Sequence, residues 1–110
     1  MAENSCGCNN TMEVACKISV FDSEERKHYD ELRKELTETM AVEEITNGYT
    51  FIFPNNQLLL LKIAEWISLE NRCCPFIKFS LNISGDSESI RVELTGNEDV
   101  KNLLKKEFQL

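Results

Sequence analysis

The chain has 110 residues, room for one domain with a proper core and too little for two. Its formal charge is −7 and 42% of its residues are apolar, with six phenylalanines and one tryptophan. That balance disfavours nucleic acid, whose phosphates must be neutralised by Lys and Arg, and disfavours an anionic membrane surface for the same reason.

The N-terminus, MAENSCGCNN, has neither the basic region nor the apolar core of a secretion signal. The long apolar run Leu58–Leu61 is far short of a bilayer span. The expected setting is a soluble protein of the cytoplasm, where stable disulfides are uncommon and clustered cysteines bind metal or do thiol chemistry. The cysteines are Cys6, Cys8, Cys16, Cys73 and Cys74, an odd set that argues against a secreted disulfide scaffold.

Residues 1–10 are polar, contain a Cys-Gly-Cys, and read as a flexible arm; residues 11–110 form the single expected domain. Met12, Val14, Cys16, Ile18 and Val20 alternate with polar residues, which predicts a half-buried strand. Asp22 with Glu25 is a capping box that opens a charged helix to about Thr39, its thin apolar stripe being Tyr29, Leu32 and Leu36. Two short strands between Val42 and Phe53 flank Asn47-Gly48, a hairpin signal because both residues tolerate positive φ. Pro54 ends the second, and Asn55 or Asn56 caps an apolar helix that runs to about Arg72 and stops before Pro75. Alternation returns over Ile77–Ile83 and again at Ile90, Val92 and Leu94, separated by a Gly85–Ser87 turn, and Asn97 caps a last helix through Phe108. The order is β-α-β-β-α-β-β-α, an α/β (α+β) two-layer sandwich with a mainly antiparallel sheet and helices on one face. The first six elements follow a ferredoxin-like order. A second copy would add burial to so small a chain, a homodimer in the simplest case, though no interface is legible.

Chemistry concentrates in Glu70-Asn71-Arg72-Cys73-Cys74-Pro75-Phe76. On a helical wheel Leu60, Ile63, Ala64 and Ile67 form the buried arc, and Glu70 falls toward its core side with Cys74 on the same flank. A carboxylate beside an apolar seam must be paired, protonated or bound. Arg26 and His28 on the preceding helix are the candidate partners. Adjacent cysteines bind a soft metal or metalloid, close a strained vicinal disulfide, or serve as nucleophile and resolving thiol. The C-terminal end of a helix opposes thiolate charge, and Arg72 offsets this only in part. A bound metal escapes that objection, because its own charge deprotonates a coordinating thiol.

The favoured reading is therefore a non-enzymatic binder of zinc, copper or another thiophilic ion. Cys73, Cys74 and Glu70 would be its ligands, with Cys6 and Cys8 closing the set. A thiol-redox enzyme using Cys73 and Cys74 is the rival, and a structural domain with inert cysteines is the third alternative. Cys16, on an inward strand face, reads as inert core.

The stretches Glu24–His28, Asn47–Pro54 and Ala64–Phe76 together resemble a family of small, largely uncharacterised prokaryotic proteins with an E-x-x-C-C-P-F motif. The resemblance spans about Lys17 to Leu104 and also takes in Lys78–Leu81 and Leu94-Thr95-Gly96. It implies a heavy-metal-resistance context and no established reaction. It marks Arg26, His28, Glu65, Glu70, Cys73 and Cys74 as the motif's polar positions, and leaves the Cys6–Cys8 arm outside the match.

Overall fold

The computed structural model describes residue 15, residues 17–85 and residues 88–110. Three helices follow side-chain caps that the sequence spells out. In α1 (Ser23–Thr39) the Asp22 carboxylate accepts from Glu25 N, and Glu25 Oε1 accepts in return from Asp22 N. In α2 (Gln57–Cys73) Asn56 is the cap, accepting from Leu59 N; in α3 (Glu98–Glu107) Asn97 accepts from Val100 N. Each cap satisfies an N–H that would otherwise lack an acceptor in the first helical turn.

The strands are β1 (Ala41–Ile45), β2 (Gly48–Pro54), β3 (Lys78–Ile83) and β4 (Ser89–Thr95). They form one antiparallel sheet in the order β1-β2-β4-β3. One face carries Tyr49, Phe51, Phe53, Ile90, Val92 and Leu94, all buried beneath the helices. Trp66 of α2 stacks on Phe51 and meets Phe79 edge-on, while Phe108 at the end of α3 packs edge-on against both Phe51 and Trp66. The other face is polar. There Arg91 reaches across to Glu43 at 2.8 Å, beside the buried Thr50. Among the described residues no helix is long and apolar enough to cross a membrane.

Three expectations change. The strand predicted over Met12–Val20 does not extend to its end: Ile18–Val20 is a turn of 3₁₀-helix, and Met12, Val14 and Cys16 lie outside the described residues. From α1 onward the element order is as predicted. The hairpin turn is Thr46-Asn47, and no described glycine, nor Asn47, has positive φ. Gly48 is instead the first residue of β2, where a Cβ would collide with the carbonyl oxygen of Leu94. Finally, Ala64 is exposed: the buried arc of α2 is Ile63, Trp66, Glu70 and Cys73. Their 3-4-3 spacing is one helical face, so Glu70 lies on the centre line of that face.

Candidate metal centre

Glu70 and Cys73 come from the last turn of α2, and Cys74 is its C-cap, with its N–H donating to Glu70 O at 2.6 Å. All three side chains are buried, Glu70 at 3% exposure. The helix ends there because Pro75 cannot continue it. Outside the helix, Lys17 N donates to Cys73 O at 2.7 Å, tying the segment before α1 to this end of α2.

The donor atoms converge. Cys73 Sγ lies 3.5 Å from Cys74 Sγ and donates to Glu70 Oε1 at 3.5 Å, and Cys74 Sγ lies 3.8 Å from the same oxygen. Among the described residues this is the grouping of Cys, His, Asp and Glu side chains close enough to share one ion. Cys73 is a free thiol and is not bonded to its neighbour. Cys74 is disulfide-bonded.

From the buried triangle a polar chain runs out to the surface. Tyr29 Oη, from α1, donates to Glu70 Oε1 at 2.9 Å and accepts from Arg33 Nη1 at 3.3 Å; Arg33 goes on to Glu107 of α3. Burial raises the Glu70 pKa, and the Tyr29 hydrogen bond, the Arg33 charge, the Cys73 thiol and the Trp66 indole offset that only in part. Burial likewise pushes the Cys73 thiol up to about 12, and the nearby Glu70 charge adds to it. Tyr29 is raised too, by burial first and Glu70 second. The Trp66 indole N–H is close enough to favour the Glu70 anion, yet it is buried and without a partner in hydrogen-bond geometry.

The other candidate residues distribute differently. His28 pairs with Glu65 at 2.8 Å, both about half exposed, so this pair stands on the outer side of α1 and α2 and leaves Glu70 to Tyr29. Arg26 is exposed on α1. Neither Arg26 nor His28 is the partner of Glu70, because α1 turns its Tyr29–Leu32–Leu36 face inward and those two outward. Arg72 bonds Glu25 at 2.7 Å and Val20 O at 3.2 Å, with its guanidinium over Phe21, so it clasps the start of α1 to the end of α2. Cys6, Cys8 and Cys16 lie outside the described residues. Sequence reasoning missed Tyr29 and Arg33 as site residues. The available signal was their i, i+4 spacing on the thin apolar stripe, where an arginine next to core needs an acidic or aromatic partner.

Searches of family models, curated proteins and solved structures found no match to this chain.

Proposed function

We propose that the chain, with Cys74 reduced, binds a thiophilic metal or metalloid ion through Cys73, Cys74 and Glu70. The carrying observation is the triangle of two sulfurs and one oxygen, 3.5–3.8 Å on a side, buried at the end of α2. Such a cluster is costly to leave as charges without a counter-ion, and burial favours the protonated forms of Cys73 and Glu70. A cation replaces those protons with a charge better matched to two sulfurs and a carboxylate. Uptake would release the thiol protons, since coordinating thiols must be deprotonated.

The rival thiol-redox reading needs Cys73 as the attacking thiolate. Its raised pKa leaves that species scarce at neutral pH. The resemblance to proteins with the E-x-x-C-C-P-F motif stands beside the binding reading as its proposed context.

The test is non-denaturing mass spectrometry of reduced, metal-free protein offered zinc, copper(I), mercury(II) or arsenite. One ion per chain is expected, lost in the Cys73→Ser/Cys74→Ser double variant and weakened in Glu70→Gln. Circular dichroism confirms that the variants fold. Failure to retain any of the four by the folded wild-type chain overturns the assignment.

A further inference from the structure

The three separations, measured with Cys74 in its disulfide, constrain the coordination that the reduced site would offer an ion, and this inference rests on the binding reading above. Zinc-sized ions sit about 2.3 Å from thiolate sulfur and about 2.1 Å from carboxylate oxygen. With those radii, the 3.5 Å between the two sulfurs subtends about 100° at the ion. The 3.5 and 3.8 Å from Cys73 and Cys74 to Glu70 Oε1 subtend about 105° and about 120°. The three angles average about 108°, close to those of one face of a tetrahedron. A linear two-sulfur ion would instead need its sulfurs about 4.6 Å apart, twice the metal–sulfur distance. The observed triangle is too small for that arrangement.

A tetrahedron has a fourth corner. Beside Glu70 and Cys74 lies a small, partly open cavity of about 10 Å³, walled by Arg33, Ile77, Leu104 and Phe108. That is room for about one water molecule and for little more. The Trp66 indole N–H, 2% exposed, lies close enough to Glu70 to favour its anion but has no acceptor in hydrogen-bond geometry. An oxygen ligand held at Glu70 within reach of that N–H would give it an acceptor, as buried polar groups ordinarily require.

We propose that the site takes a four-coordinate divalent ion of the zinc type. Cys73, Cys74 and Glu70 fill three positions and one water-sized oxygen ligand fills the fourth. Both the oxygen donor from Glu70 and the bent sulfur pair point away from copper(I) or mercury(II) held between two sulfurs, and toward a borderline ion that accepts sulfur and oxygen together.

X-ray absorption on reduced, zinc-loaded wild-type protein reads this directly. The expected first shell is two sulfurs and two light atoms at four-coordinate distances. A cobalt(II)-loaded sample should show the visible absorption of a tetrahedral centre, and Glu70→Gln should change that spectrum while keeping both sulfurs. A two-coordinate ion, or a shell of three or four sulfurs, would overturn the proposal while leaving metal binding standing. No retention of zinc or cobalt by the folded reduced chain would overturn the proposal, and the panel above then decides whether any ion binds.

Discussion

Cys73 offers the most direct test of how burial governs this cluster. Its thiol is fully buried and pushed up to about 12 from an ordinary 9.0, which is three units. At neutral pH that shift leaves about 1000-fold less thiolate than an unperturbed cysteine would hold. A more basic thiolate is also more nucleophilic, and a Brønsted slope of about 0.45 returns a factor of about 20 over three units. The net expectation is alkylation about 50-fold slower than in the unfolded chain from ionisation alone, with burial slowing it further. The assay is a pulse of iodoacetamide on native and urea-unfolded protein, followed by reduction, a second label and trypsin. Cleavage after Arg72 and Lys78 releases Cys73-Cys74-Pro75-Phe76-Ile77-Lys78, so mass fragments report Cys73 itself. The native rate should climb about tenfold per pH unit, with no plateau below about pH 10. A native rate within about fivefold of the unfolded one, or a plateau near neutrality, would refute the reasoning and revive the redox reading.

Glu70→Gln should change the pH dependence of stability. The folded pKa of Glu70 is raised above 4.5, so the native state binds more protons there than the unfolded state does, and stability falls as pH rises through that window. The cost is absent below the unfolded pKa and fully present above the folded one. Urea midpoints should therefore show wild type losing stability from about pH 4.5 upward, with the slope diminished in the glutamine variant. Arg72→Ala should leave the Cys73 alkylation rate unchanged, because this guanidinium bonds Glu25 and Val20 O; acceleration or slowing by an order of magnitude would contradict that assignment. Gly48→Ala should lower unfolding free energy by about 1–3 kcal/mol in denaturant titration, since the new methyl meets the Leu94 backbone and no flexible side chain can yield.

What the sequence made legible was local. Asp22 with Glu25, Asn56 and Asn97 announce their helices because the cap and the N–H donating to it lie within one turn. Alternation at Ile90, Val92 and Leu94 announced β4 for the same reason. What failed depended on distant chain. Gly48 looked like a turn residue, yet its requirement comes from the Leu94 carbonyl on the neighbouring strand. Ile18–Val20 alternates like a strand, but its backbone closes a tight turn that leads Phe21 against Tyr29. The wheel of α2 placed Glu70 toward the core, but Arg26 and His28 were the wrong partners for it, since the packing of α1 brings Tyr29, 41 positions away, to it instead. The expectation of an unusually basic thiol at this helix end had the right direction. Its leading cause was different: burial first and the Glu70 charge second.

If the chain takes up a cation as proposed, the bond at Cys74 gives electrons a part in it. On the proposed reading a two-sulfur ligand set needs Cys74 released from its disulfide by a thiol reductant, so loading would be preceded by a two-electron reduction. Linkage then runs in both directions: whatever cation binds the reduced chain alone must also make that chain harder to oxidise. For a two-electron couple each tenfold of saturation beyond the dissociation constant moves the midpoint potential down by about 30 mV. The same protein would release its ion as its surroundings become oxidising and take it up again as they become reducing, with no change in the concentration of the ion itself.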